Sequence, residues 1–323
     1  MFKEFIDCID THTEGDLTRF IMGGIPSIKG ESLELKKEYF RKNFDYIRKF
    51  VMTEPRGHKD IFGAVITETV EDDSQYGLFF IEPHGYLSLC GHAVMASVVL
   101  SKKIGLIDYS LEEIKIDTPV GQVVARSKDN EEVEVESGPC FAVIQDEMME
   151  VEGLGRIPID IAFGGNFYAF VKAEDLGEKN IDTERAKTIG KIIRNFINNK
   201  MTIEHPEMKH IKGLAGVGII LPTDRANSKN ITVIGDGAIT RDPCETGTTA
   251  KIALEYAKGN LKINETYISE GILGTFFRGK AIRTVKVGPY EAVISKLSGK
   301  SYVTAFHKFV LEPNDPKPEG WLL

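Results

Sequence analysis

The chain has no surplus of positive charge: 40 Lys and Arg stand against 48 Asp and Glu in 323 residues, a formal charge of −8. No basic run stands out either, so a phosphate-neutralising surface is excluded and nucleic acid and anionic membranes are poor partners. Cysteine is scarce. Cys8, Cys90, Cys140 and Cys244 are scattered without CxxC spacing, which excludes a disulfide scaffold and a zinc ribbon. Long apolar runs are missing: GVGIIL at 216–221 is strand-sized and far short of a membrane span. The opening MFKEFIDCID holds Glu4, Asp7 and Asp10 and lacks the apolar core of a signal peptide, so a cytoplasmic location with reduced thiols is expected. Neither a phosphate-cradling glycine motif nor a His/Cys ligand cluster occurs, Cys90 with His92 being half a metal site at most; no metal and no cofactor are expected.

What is present is an ordinary globular composition, 42% hydrophobic and 27% charged, in a chain about twice the usual domain length. Ser32 precedes Phe40, Phe44, Ile47 and Val51 at helical spacing, with Lys and Glu between them, which predicts an amphipathic helix. Strand patterns follow at 64–70, 77–82, 113–118, 123–126 and 132–136. Among them, 91–103 (GHAVMASVVLSKK) is apolar on nearly every side in its middle, as a buried helix is. The second half repeats the scheme, with strands at 159–162, 167–173, 217–221 and 231–234, and a helix through Ala186, Ile189, Ile193 and Phe196. A buried helix begins near Thr246. CETGTTAKIAL from Cys244 mirrors CGHAVMASVVL from Cys90, each a cysteine followed by small residues that open an apolar helix. The pattern predicts two similar α/β halves, 1–125 and 126–298, with the segment 299–323 able to return to the first. The boundary is placed by the turn-rich GQ and SKDNEE stretches.

A thiol at a helix N-terminus meets the positive end of the helix dipole and unpaired N–H groups, which stabilise the thiolate and are expected to lower its pKa. The same N–H groups offer a carboxylate site, and Gly91 and Gly247 let a ligand approach the backbone closely. Two such helices can clamp one carboxylate and place a sulfur on each side of its α-carbon. One thiolate then removes the α-proton and the opposite thiol returns one, which is stereoinversion by two bases. The competing reading of either cysteine alone is a small buried hydrophobe.

A series of motifs runs in order along essentially the whole chain: DTHTEGDLTRFIMGGIP from Asp10, EPRGHKDIFGAV from Glu54, GYLSLCGHAVMA from Gly85 and FGGNFYAF from Phe163. EHPEMKHIKG from Glu204, RDPCETGTTAKIAL from Arg241, EGILGTFFRG from Glu270 and the closing SYVTAFHKFVLEPNDP continue it. With these the chain resembles the proline racemase family. The resemblance implies a diaminopimelate-epimerase-like fold, an α/β (α+β) architecture of two similar halves, each a curved sheet wrapped around a central helix, with the active site between them. It implies cofactor-independent racemisation or epimerisation of proline or 4-hydroxyproline, a dehydratase branch acting on trans-3-hydroxyproline, and a homodimer. Cys90 and Cys244 match the two catalytic cysteines, whereas the dehydratase branch has threonine at the second. Gly91, His92, Thr246 and Gly247 match residues whose amides hold the substrate carboxylate. His92 also matches the histidine beside the substrate amine, and Phe62 one aromatic wall of the ring pocket.

The chain departs from the family where DRSPCGTG becomes TRDPCETG: Thr240 replaces an aspartate near the substrate nitrogen, Asp242 a serine, and Glu245 the glycine after the cysteine. Ile234 stands where a second ring-wall phenylalanine is common. Glu245 and Asp242 are therefore candidate substrate-binding residues that relocate the preferred position of positive charge. In the alternative, Glu245 points to solvent and Asp242 takes over the missing aspartate's work. The leading function is an amino-acid racemase or epimerase using Cys90 and Cys244. The alternatives are a dehydratase or isomerase of a hydroxyproline-like substrate, and a catalytically silent amino-acid-binding protein.

Overall fold

The computed structural model describes residues 4–178, 180–209, 211–235 and 237–323, which fold into two compact α/β units. The first is the chain up to Val135 together with Gly299–Leu323, and the second is Glu136–Ser298. Among the described residues no helix is long and apolar enough to cross a membrane.

The first unit contains β1 (Glu4–Thr13), β2 (Asp16–Gly23), α1 (Leu33–Met52), β3 (Phe62–Thr67), β4 (Tyr76–Glu82), β5 (Gly85–Leu87), α2 (Gly91–Lys103), β6 (Glu113–Thr118), β7 (Gly121–Ser127) and the start of β8 (Glu132–Val151). Its strand order is β7, β6, β4, β3, β2, β1, with the start of β8 outside β7 and the last part of β16 (Tyr290–Leu311) outside β1. Pairing is antiparallel between β1 and β2, parallel between β2 and β3, antiparallel between β3 and β4, parallel between β4 and β6, and antiparallel between β6 and β7. β5 forms a short hairpin on β4.

The second unit contains the rest of β8, then β9 (Gly155–Phe163), β10 (Phe167–Lys172), α3 (Thr183–Lys200), β11 (Leu214–Leu221), β12 (Ser228–Ile234), β13 (Ala238–Ile239), α4 (Glu245–Ala257), β14 (Tyr267–Glu270), β15 (Phe276–Val287) and the start of β16. The pairing senses recur in the same order: β9 antiparallel to β10, β10 parallel to β11, β11 antiparallel to β12, β12 parallel to β14, and β14 antiparallel to β15. β13 hairpins on β12 as β5 does on β4. One topology is written twice, and α2 and α4 hold the same place in it.

That place is the inside of a curled sheet. α2 packs against β1, β2, β3 and β7, although β1 and β7 are five strand positions apart. In a flat sheet that is about 24 Å, more than twice the roughly 10 Å width of a helix. The sheet therefore wraps the helix, which is why every residue from Gly91 to Ser101 is buried and the segment has no polar stripe. α4 meets β9, β10 and β15 in the same way.

α1 covers the other face of its sheet. Ser32 caps it by accepting the Leu35 N–H at 3.2 Å, and Leu33, Phe40, Ile47 and Val51 are buried against Ile21, Val65, Phe79 and Ile81. Each such fully buried side chain contributes about 1.5–3 kcal/mol relative to exposure. The helix is not continuous as the periodicity predicts: Phe44 has φ −134° and ψ 18°, and the axis kinks there. In the second unit α3 sets Ala186, Ile189, Ile193 and Ile197 against Val217, Ile219 and Val233.

The passage between units falls at Val135/Glu136, inside β8, rather than near residue 125. The SKDN stretch is the turn of the β7–β8 hairpin, in which Ala125 faces Val135, so its turn-forming residues mark a tight connection and not a linker.

Candidate active site

In the first unit, the short β5 delivers the chain to Cys90, the N-cap of α2, in an extended conformation (φ −142°, ψ 98°). Its sulfur makes no capping hydrogen bond, and the residue is only 6% exposed. Both ring nitrogens of His92 lie 3.5 Å from Cys90 Sγ. Phe62, at the start of β3, meets the His92 ring edge-on, with centroids 4.8 Å apart at 81°. Thr13 Oγ1 donates to the His92 carbonyl at 2.9 Å and fixes the first turn of the helix to β1. Burial pushes His92 down to about 4, so its imidazole is neutral at neutral pH, with one donor and one acceptor nitrogen. Cys90, Gly91, His92 and Phe62 thus come together in one unit.

In the second unit, Cys244 is the N-cap of α4 and is 4% exposed. Its backbone has φ +63° and ψ 104°, a region that costs a non-glycine residue roughly 1–3 kcal/mol and persists only where the surroundings enforce it. The enforcement is visible. Asp242 Oδ1 accepts the Cys244 N–H at 2.8 Å, the Thr248 N–H donates to the Cys244 carbonyl at 2.7 Å, and Thr248 Oγ1 donates to the Pro243 carbonyl at 3.1 Å. Thr240 Oγ1 donates to the Asp242 carbonyl at 3.2 Å, which ties the same loop from the other side.

The first turn of α4 rests on the Gly164–Gly165 turn that joins β9 to β10. A Cβ at Gly164 would lie 2.3 Å from the Ala250 nitrogen, so only glycine allows this approach, and Thr249 Oγ1 donates to the Gly164 carbonyl at 3.0 Å. Three residues after Gly165, Tyr168 of β10 places its hydroxyl 3.7 Å from Cys244 Sγ and 2.7 Å from Thr246 Oγ1. With the sulfur as thiol, S–H donates to the tyrosine oxygen. With the sulfur as thiolate, the tyrosine O–H becomes the donor and Thr246 the donor behind it. The Gly247 N–H also reaches the Cys244 sulfur, and a Cβ at Gly247 would come within 3.0 Å of it.

The helix dipole was expected to lower the thiol pKa, and for Cys244 the structure reverses that expectation. Cys244 is pushed up to about 12: burial is the largest cause and the Asp242 carboxylate and Glu245 add to it, while the Gly247 N–H and the Tyr168 hydroxyl oppose it. Desolvation outweighs the dipole because the sulfur is almost wholly removed from water. Cys8 and Cys140 are likewise pushed up to about 12 by burial.

Glu245 does not point to solvent. It is 8% exposed, its Oε2 has no hydrogen-bond partner among the described residues, and its charge is felt by Cys140, Tyr168 and Cys244. Burial pushes it up to about 7. Asp242, Cys244, Glu245, Thr246 and Gly247 thus share the entrance of α4, while Ile234 packs partly buried against the cluster of Tyr168, Phe170 and Cys244. Tyr168 lies against this cysteine although sequence reasoning missed it, within the quoted FGGNFYAF motif. A surface cavity of about 650 Å³, lined by Ala142, Tyr256, Lys262, Tyr290 and Glu291, sits at the opposite end of α4 and holds none of these residues. Among the described residues no group of three or more His, Cys, Asp or Glu could hold a metal ion.

Comparison with known proteins gives a family-wide match. The model of the family described as proline racemase matches residues 8–322. A proline racemase of Acetoanaerobium sticklandii is 38% identical over 332 aligned residues, covering 99% of each chain. A trans-3-hydroxy-L-proline dehydratase of Bacillus cereus is 35% identical, covering 98% of this chain and 97% of its own. A crystal structure of a hydroxyproline epimerase from Agrobacterium vitis, with bound trans-4-hydroxy-L-proline, superposes with a TM-score of 0.86 at 24% identity over 100% of this chain and 97% of its own. That likeness shows the fold, and the diaminopimelate-epimerase-like α/β architecture expected from the motifs is the one present.

Proposed function

The chain belongs to the proline racemase family of amino-acid racemases and epimerases, and on that premise we propose that it inverts the α-carbon of proline, a hydroxyproline or a related amino acid with two thiols. Cys90 and Cys244 are the acid/base pair. The observation that carries this reading is their equivalence: each is the N-cap of the wrapped helix in one of two copies of the same topology. One sulfur, as thiolate, takes the α-proton; the other, as thiol, delivers a proton to the opposite face, so the pair ends with its protonation states exchanged.

The N–H groups of Gly91 and His92, and of Thr246 and Gly247, are the donors for the substrate carboxylate: the first N–H groups of a helix have no backbone acceptor within it, and that of Gly247 also faces the Cys244 sulfur. Neutral His92 offers the substrate amine an acceptor nitrogen, and Phe62 walls the side chain. Tyr168 supports the thiolate form of Cys244 by donating its O–H. Since burial disfavours that thiolate, the positive charge of an arriving amino acid is part of what generates it. The chemistry requires neither metal nor organic cofactor, and activity is expected to survive exhaustive chelation.

A second reading has one thiolate form a carbanion that expels a β-hydroxyl, as the 35% identical dehydratase suggests. Cys244 speaks against it, since the resemblance gives that branch threonine at this position. Incubating each enantiomer of proline, the hydroxyprolines and acyclic amino acids in D2O, followed by proton NMR, decides the matter. Inversion with α-deuterium is the expected result, water loss indicates the dehydratase, and ligand-induced stabilisation without exchange indicates a binding protein. Cys90→Ser and Cys244→Ser are each expected to abolish inversion. A single Ser variant with near-wild-type turnover in both directions sinks the two-thiol mechanism.

A further inference from the structure

Glu245 is the first residue of α4, directly after Cys244 and directly before the amides assigned to the substrate carboxylate. It is 8% exposed, and among the described residues its Oε2 has no hydrogen-bond partner and no cation is paired with it. A carboxylate taken out of water without a counter-charge is one of the costliest buried groups, and the partial charge of a helix N-terminus, about half a unit, compensates it only in part. The side chains that feel its charge, Cys140, Tyr168 and Cys244, bring no positive charge of their own. The neighbouring acidic residue is engaged differently, since Asp242 uses Oδ1 on the Cys244 N–H, and the Thr240 hydroxyl is turned back onto the loop carbonyl. The entrance of α4 therefore combines amides suited to an anion with a buried, unmatched carboxyl suited to a cation. A zwitterion has both charges.

We propose that Glu245 is a specificity-determining residue that receives a positively charged group of the substrate, an alkylammonium or guanidinium, beside the Cys244 thiol. The assignment rests on the racemase reading above. The cation has two possible sources, the α-ammonium common to all amino acids and the side-chain charge of a basic one, and the same carboxyl disfavours a substrate with an acidic side chain. Burial keeps the carboxyl about half protonated at neutral pH until a cation arrives, after which the desolvated pair is worth far more than a surface ion pair.

The test compares wild type with Glu245→Gln and Glu245→Gly on L-proline, L-norleucine, L-lysine and L-glutamate, reading kcat/KM for solvent deuterium incorporation. The Gln variant is expected to lose roughly 10- to 150-fold, the range of a hydrogen bond to a charged group. Loss on every amino acid identifies the α-ammonium as the cation; loss on lysine alone identifies the side chain. Folded Gln and Gly variants that keep wild-type kcat/KM on all four overturn the proposal. Absence of exchange in wild type is a failure of the racemase reading instead. In that event the ligand-induced thermal shift decides: a shift by lysine or norleucine that Glu245→Gln abolishes upholds the cation site, and one it leaves unchanged overturns it.

Discussion

Replacing Glu245 by glutamine is expected to stabilise the protein above neutral pH and to have little effect below pH 4.5. The folded chain holds the Glu245 proton with a pKa of about 7 against an ordinary value of 4.5, and desolvation is the cause. A raised carboxyl pKa means that the native state binds the proton more tightly than the unfolded state. Below pH 4.5 both states are protonated and nothing is lost. Between pH 4.5 and 7 the unfolded chain releases the proton while the native chain retains it, so stability falls as pH rises, and above pH 7 the loss is complete. A difference of this size corresponds to about 3 kcal/mol at 1.36 kcal/mol per pKa unit. Glutamine has the same shape and no such term.

The assay is the melting temperature of wild type and Glu245→Gln at intervals from pH 4.5 to 8.5. At roughly 2–4 °C per kcal/mol for a unit of this size, the gap should open from near zero to roughly 6–12 °C and level off above pH 7. The facing groups do not confuse the reading: Cys140 and Cys244 are pushed up to about 12, and Tyr168 is held well above the usual phenol range by burial, so none titrates in that window. A gap that is constant across the pH range, or that closes as pH rises, refutes the buried and unmatched carboxyl. It also removes the physical basis for a cation site at α4.

Tyr168→Phe removes a donor to the Cys244 thiolate and should raise the thiol pKa by about one unit. The tenfold fall in thiolate is partly offset by a more nucleophilic sulfur, leaving a roughly three- to fourfold slower reaction with iodoacetamide, read by mass spectrometry of the Cys244 peptide between pH 7 and 9. An unchanged or faster rate contradicts the role given to the tyrosine. Asp242→Asn keeps an acceptor for the Cys244 N–H and removes the negative charge that raises the thiol, so the same measurement should show faster alkylation, opposite in sign. Gly164→Ala drives a methyl to within 2.3 Å of the Ala250 nitrogen and should cost about 1–3 kcal/mol or more. Gly138→Ala, with nothing within 4 Å, should change stability by less than about 0.5 kcal/mol; equal melting temperatures for the two variants would count against the close turn-to-helix packing.

The parts of this molecule that were legible in the sequence are those whose cause is local. The segment 91–103 is apolar around its whole circumference because a sheet surrounds it, and the mirrored CGHAV and CETGT entrances follow from one topology used twice. What was illegible depends on distant chain. β15 alternates buried with charged positions from Phe277 to Ala281, whereas β16 passes from a buried run at Ala292–Ser295 to alternating exposure beyond Lys300, so no single period marks these strands. β10 is buried on both faces, FYAFVK, so the two-residue period is erased and nothing local tells which face of the strand meets Cys244; Tyr168 escapes notice for that reason. The sign of the Cys244 shift was misread by the same logic. A helix N-terminus is a local feature and argues for a thiolate, whereas desolvation is set by everything packed around the sulfur, and here it is the larger effect. Glu245 is the sharpest instance. A carboxylate at the first helical position is favoured by the dipole and usually wet, and only the closure of the second unit over it turns an ordinary helix-start residue into a buried charge in need of a partner.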